Sequence, residues 1–356
     1  MKKEDEIITS NLENNRIDSD IRDLFSMNFT TLNMSEGYKI VFKKDPSCAI
    51  PKRLIELYVK YVKPDYNSMI YSFKKKYISN EILVEKNDTK EQRQGLNLVY
   101  DYIQNYDFEQ KPLDIFFSAM EIHKLLWKPT DDRNNADIVE ERENKLKEIE
   151  MLKIRSKDKT SGLSSKERLL DYKKAVALEK ELRSLTYKSK IGATLRSKNN
   201  EDHVQLQGLD IDIPSAKESL VFMNSYINPE KKEEFKRVLE QEDVIQYISY
   251  CVKEVCDMIY YQPFMDGNKR TFRSLLNLMF KAKGLPPVYI KTGERDDYKL
   301  ALYKALKEKD YASIIGFYLF KICDSIYELD VVPYKNKRLE DYKKEPEYGT
   351  IGKTKR

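Results

Sequence analysis

The sequence predicts a mainly helical fold, all-α apart from one short β-hairpin, with a charged helical hairpin inserted into the main domain. Helix-start signatures recur along the chain, candidate strands are few, and the 356 residues contain only 11 glycines and 12 prolines. Thr89 to Gln92, Ser164 to Glu167 and Ser215 to Glu218 each place a hydroxyl three residues before Gln or Glu, a pairing that satisfies free N–H groups at a helix start. Asn228-Pro229 marks a further start, because proline's missing donor is harmless in the first helical position.

In order, helices are expected over about 51–63, 65–78, 89–106, 112–127, 215–227, 230–240, 243–261, 268–283, 294–308 and 310–328. Tyr38 to Phe42 reads as a strand. Ile191 to Leu206, where Val204 and Leu206 alternate with polar neighbours, reads as the hairpin. Residues 131–190 differ in kind, with 16 basic and 13 acidic side chains and almost no aromatic ones. Ile138, Leu146, Ile149 and Leu152 on one arm, and Leu169, Val176, Leu178, Leu182 and Leu185 on the other, predict two helices meeting along a narrow apolar seam. The polar stretch Ser156 to Ser165 makes the turn, and the arm is either a solvated strut or a partner-recognition element.

Composition narrows the function. Hydrophobic residues at 40% and charged residues at 35% exclude collagen-like and wholly disordered chains. The absence of a membrane-length apolar run and the charged start at Met1 to Glu6 predict a cytoplasmic protein without membrane contact. Cys48, Cys251, Cys256 and Cys323 form no CxxC pair, so buried reduced thiols are expected. The net charge of +5 resides mostly in residues 331–356, where eight Lys or Arg stand against four Asp or Glu. This tail is expected to be solvated and disordered, so no specific nucleic-acid binding is predicted. Only His123 and His203 are available as imidazole bases.

The chemistry-bearing run is Tyr261-Gln262-Pro263-Phe264-Met265-Asp266-Gly267-Asn268-Lys269-Arg270-Thr271-Phe272-Arg273. Asp-Gly-Asn is a turn signal, Asn268 is expected to cap the helix that follows, and Phe264 should anchor the loop inward. Free N–H groups at that helix start form an anion site, and Gly267 lets a phosphate approach the backbone. Arg270 and Arg273 share one face of the first turns, suited to two further phosphates. Asp266 is an oxygen donor of the kind that holds Mg²⁺ against phosphates. Positive side chains at the positive end of a helix need an anionic partner, which favours a binding role over an ordinary helix start.

These residues resemble the signature of the Fic (Fido-fold) family, His-Pro-Phe-x-Asp/Glu-Gly-Asn-Gly/Lys-Arg-x-x-Arg, at eight specified positions, and the likeness extends through Gly284-Leu285-Pro286-Pro287. Ile122 to Leu126 resembles the family's early core helix, and 191–206 its target-docking flap. The resemblance implies a helical Fido domain over 89–330 with the insertion at 131–190, an N-terminal helical extension over 1–88 and a tail over 331–356. It implies ATP or another nucleotide as ligand with Mg²⁺, and transfer of AMP to a hydroxyl of a protein target docked at the flap. Residue by residue, it makes Asp266 the metal ligand, Phe264, Gly267, Asn268 and Lys269 part of the nucleotide site, Arg270 a phosphate clamp and Arg273 the terminal-phosphate clamp. Lys269 also occurs in relatives that resemble death-on-curing toxins, which act as kinases.

The departure is Gln262, which stands where the family has its catalytic histidine. A carboxamide orients a hydroxyl but has no useful basicity near neutral pH, and loss of a positioned base typically forfeits about 10² to 10⁴ in rate. The expectation is therefore weakened or altered transfer, with a nucleotide-sensing pseudoenzyme and transfer of a different phosphate-linked group as alternatives. Thr9-Ser10-Asn11-Leu12-Glu13-Asn14 fits the family's inhibitory pattern, which implies Glu13 as a partner of Arg273. Ser79 to Glu85 is a second location, but with Leu83 where the pattern needs Glu.

Overall fold

The structure, a computed structural model, describes residues 48–61, 70–86, 88–158, 162–197, 203–206 and 209–326. Tyr38 to Phe42, the Glu13 segment and the 331–356 tail lie outside the described residues. The described chain runs α1 (Ala49–Tyr61), α2 (Ile70–Glu85), α3 (Lys90–Gln104), α4 (Ile115–Asn134), α5 (Ala136–Lys157) and α6 (Ser165–Ser184), then β1 (His203–Leu206) and β2 (Leu209–Asp212). There follow α7 (Ala216–Ser225), α8 (Pro229–Glu240), α9 (Val244–Tyr261), α10 (Asn268–Ala282), α11 (Arg295–Tyr303) and α12 (Ala312–Ile326).

The helix starts follow the local signatures. Ser164 and Ser215 form reciprocal capping boxes with Glu167 and Glu218, Thr89 accepts from the Gln92 N–H, and α8 opens on Pro229. Two boundaries differ from expectation. The second helix covers Ile70–Glu85 rather than ending near 78, because Asn80 bonds back to the Lys76 carbonyl and Glu81 finds a buried cationic partner. The fourth continues through Pro129 to Asn134 rather than stopping near 127. Its C-terminal end is fastened by Asp131, which accepts from the Ile191 and Gly192 N–H groups, and by Asn135, which bonds Lys188 and Ser189.

The β-hairpin is also displaced. It pairs His203–Leu206 with Leu209–Asp212 in antiparallel register, whereas the expected span began at 191. In the described part of 191–202, Leu195 makes a single antiparallel bridge to Phe264. The Asp131 and His123 side chains capture the N–H groups of Ile191, Gly192 and Ala193, so this stretch follows α4 instead of pairing as a strand.

α10 is buried over almost its whole length and lies against α9, α3 and α4. Phe272, Leu275, Leu276, Leu278 and Met279 merge with a core to which α1, α2, α11 and α12 contribute. Burial from all sides fixes where α10 begins, and its first turn carries the chemistry. All four cysteines are free and buried. α5 and α6 pack on each other away from this core through Ile138, Ile149, Leu152 and Ala175, with Lys153–Glu179, Lys174–Glu148 and Lys145–Glu181 pairs beside the seam. Among the described residues, no helix is long and apolar enough to cross a membrane.

Contact between α3 and α4 depends on Gly95. A β-carbon there would stand 2.1 Å from the Leu126 carbonyl oxygen, so the backbones must separate to admit it. Gly95→Ala is expected to destabilise the protein by about 1–3 kcal/mol despite alanine's better helix propensity. Urea denaturation of parent and variant measures this; equal or greater stability in the variant would refute the close approach.

Candidate anion-binding site

α9 ends at Tyr261, and the chain reverses at Gln262 in the left-handed conformation, with φ 46° and ψ 56°. That geometry disfavours side chains larger than glycine, and it is held from outside. Arg196 donates from Nη2 to the carbonyl oxygens of Pro214 and Tyr261 and to Ser219 Oγ, while its own N–H donates to the Pro263 oxygen. The Gln262 carboxamide is turned back onto α9, donating from Nε2 to the Ile259 oxygen at 2.5 Å.

Phe264 is buried, as its place in the run predicts, stacked on His123 with ring centroids 3.9 Å apart. Asn268 departs from its expected capping role. Its amide spans the loop instead, accepting from the Phe264 N–H and donating to the Phe264 oxygen, both at 2.9 Å. Gly267 occupies the cap position with φ 76°, and among the described residues no side chain caps α10. The clip uses up the Asn268 amide, so the first-turn N–H groups remain without a side-chain acceptor.

His123 completes the frame. Its Nδ1 accepts the Ala193 N–H at 2.9 Å, so its Nε2 carries the proton donated to the Asp266 carbonyl oxygen at 2.8 Å. Burial lowers its pKa to about 4 against the opposing effect of the Asp266 hydrogen bond, leaving a neutral ring near pH 7. Both nitrogens are committed to backbone, so His123 is a structural pin and not a substitute base. The His203 side chain lies outside the described atoms.

The charged groups divide into two sets. Arg270 is 6% exposed, lies over the Trp127 ring at 5.4 Å and has no ion pair among the described residues. Burial lowers its pKa, with carboxylates farther off opposing the shift. Arg273, 4% exposed, is already engaged: Nε and Nη2 bond Glu81 at 3.0 and 2.6 Å, and Nη2 bonds Glu85 at 2.8 Å. Lys269 Nζ stands 3.9 Å from Glu85. Arg273 Nη1 and Trp127 Nε1 are buried without acceptors among the described residues.

Asp266 is exposed, and its Oδ1 accepts the neighbouring Gly267 N–H. No cluster of three His, Cys, Asp or Glu side chains suited to a metal occurs among the described residues. One exposed hard-oxygen donor beside an anion site nevertheless fits Mg²⁺, which commonly takes one or two carboxylates and completes its shell with phosphate and water.

The first turn thus brings Asp266, Gly267, Asn268, Lys269 and Arg270 together at one helix end, while Arg273, a turn deeper, is held by α2. Sequence reasoning missed Glu81, Glu85, Trp127, Asp131 and Arg196. The available signal for the first two was their spacing of four, which puts both carboxylates on one face of a helix. The inhibitory pattern discounted that helix for Leu83, which is exposed and not involved.

Burial raises the Glu85 pKa, but Arg273 and Lys269 outweigh it and hold the carboxyl down at about 2. A carboxyl lowered on folding stabilises the fold above its unfolded pKa near 4.5, and that contribution disappears as pH falls from about 4.5 to about 2. Stability should therefore fall less between pH 5 and pH 3 in Glu85→Gln than in the parent, with roughly 1 kcal/mol or more separating the two losses. Denaturant titrations at both pH values measure the difference; identical losses would refute the pairing.

No protein-family model matches the chain. It is 32% identical over 78 residues to a protein adenylyltransferase Fic of Nematostella vectensis; the match covers 22% of this chain and 17% of that protein's length. The corresponding protein of Drosophila grimshawi matches at 32% over 78 residues and 16% of its length. Among solved structures, Fic-1 (aa134–508) from C. elegans aligns over 92% of this chain and 86% of that one at 14% identity, with a TM-score of 0.47. A Fic-domain signaling protein from Bacteroides thetaiotaomicron aligns over 76% of this chain and 94% of that one at 16% identity, with a TM-score of 0.34. The sequence likeness to Fic adenylyltransferases is confined to a 78-residue stretch, about a sixth of those proteins' length, and the described chain is mainly helical.

Proposed function

We propose that this protein binds a Mg²⁺-nucleotide, ATP in the first instance, at the head of α10, and that transfer of AMP to a protein hydroxyl is strongly attenuated. The observation that carries the binding half is Arg270, buried with no ion pair among the described residues at the start of α10. A buried guanidinium beside a positive helix end calls for an anion. The N–H groups of the first α10 turn and Arg270 would hold phosphate oxygens, and Asp266 would hold Mg²⁺, which would supply neutralisation of phosphate charge. Arg273 would join the phosphate site once Glu81 and Glu85 release it; within the described residues these carboxylates take the inhibitory role expected of Glu13.

Weak transfer is supported by Gln262. It lacks basicity, and its carboxamide is turned onto α9, with one of its two N–H groups given to the Ile259 carbonyl. The same fact favours a second reading, a nucleotide-sensing pseudoenzyme that engages partners instead of modifying them. Transfer of another phosphate-linked group has no comparable support. A protein target would dock along 191–206, where the Leu195–Phe264 bridge ties this stretch to the loop following Gln262. The α5–α6 hairpin, with Leu169, Tyr172 and Val176 exposed, would engage a further partner.

Calorimetry with Mg²⁺-ATP and labelling with α-phosphate-labelled ATP test both halves. The parent should bind ATP, and Arg270→Ala should weaken binding at least tenfold. Gln262→His combined with Glu81→Gln and Glu85→Gln should label protein about 10² to 10⁴ times faster than the same double Gln variant retaining Gln262. Equal labelling rates would defeat the base argument, and absence of ATP binding by the parent would defeat the anion site.

A further inference from the structure

The anion site contains a polar group that the family signature does not include. Trp127 lies on α4, 6% exposed, with its ring face under the Arg270 guanidinium at 5.4 Å. Its indole Nε1 has no hydrogen-bond acceptor among the described residues, although it is buried. The same nitrogen lies 2.7 Å from the place a β-carbon on Gly267 would occupy. The donor therefore points at the cap residue of α10, beside the uncapped first turn.

An indole N–H has one donor and no acceptor function, and proteins rarely bury such a donor unpaired because its hydration is lost without return. Gly267 does not satisfy it: its N–H is given to Asp266 Oδ1, and its carbonyl oxygen accepts the Thr271 N–H and not the indole. An oxygen-rich anion seated on the α10 N–H groups would satisfy it. The Arg270 charge, stacked on the same indole, polarises the ring and makes its N–H a stronger donor.

Resting on the nucleotide reading above, we propose that the Trp127 indole N–H is a direct ligand of a phosphate oxygen, so that the polyphosphate of a nucleoside di- or triphosphate is gripped between the α10 terminus, Arg270 and Trp127. Gly267 then has two duties, its positive φ and the absence of a β-carbon that would fill the gap between indole and phosphate. Trp127 is the sole tryptophan of the chain, so its emission reports on this contact alone.

The test titrates full-length parent and Trp127→Phe with Mg²⁺-ATP and, separately, with inorganic tripolyphosphate, by calorimetry. Phenylalanine keeps an aromatic face for Arg270 and removes the N–H. Both ligands should bind the parent and shift Trp127 emission with the calorimetric midpoint, and both should bind the variant about tenfold more weakly. Equal affinities in parent and variant would overturn the indole contact while leaving the nucleotide reading intact. ATP binding that weakens while tripolyphosphate binding does not would place the indole against the base or sugar and overturn it as well. If Trp127→Phe fails to fold, the parent decides: calorimetric binding of tripolyphosphate without any change in emission overturns the contact. Failure of the parent to bind either ligand removes both readings together.

Discussion

The constraint on which this structure turns is the concentration of positive charge at the buried start of α10. Two arginines within four residues, a lysine directly before them and the positive end of a helix dipole cannot share a low-dielectric site without anions nearby. Among the described residues, carboxylates pair with one arginine and not the other. Glu81 and Glu85 on α2 take Arg273, while Arg270 receives only the face of an indole. The asymmetry divides the cluster into a closed half, where Glu81 and Glu85 pair Arg273, and an open half in which Arg270 has no ion pair among the described residues.

Holding that arrangement is the task of groups with no direct role in it. Asn268 clips the loop, His123 fastens both the loop and the 193 segment, and Arg196 secures the end of α9. These are side-chain-to-backbone bonds, which fix the path of the main chain around the start of α10. The donors would then need little reorganisation when an anion arrives, the condition under which fixed dipoles act most strongly.

Much of this was legible in the sequence because it is local. Capping boxes at Ser164 and Ser215, the proline start at 229 and the Asp-Gly-Asn turn each encode their structure within a few residues. What was hidden depends on long-range pairing. Glu81 and Glu85 meet a residue some 190 positions later, and no spacing rule links them to Arg273. Asn268 was expected to cap its own helix because that is what asparagine does beside a free N–H. It bonds Phe264 instead because the stacking of Phe264 on His123 brings that backbone within reach. The β-hairpin shifted for a similar reason: Asp131 and His123, far upstream, claimed the N–H groups that a strand at 191 would have used.

The left-handed turn at Gln262 bears on the history of the site. A glutamine there has no chemical need for a strained backbone, and the strain is maintained by the Arg196 and Ser219 bonds around Tyr261. Side chain and mount are therefore separable. The scaffold imposes the turn from several directions and does not depend on which residue fills it, so position 262 can exchange one functional group for another without rebuilding the loop. A single replacement at that position would change the side chain presented at the end of α9 while the Arg196 and Ser219 bonds kept the loop where it is.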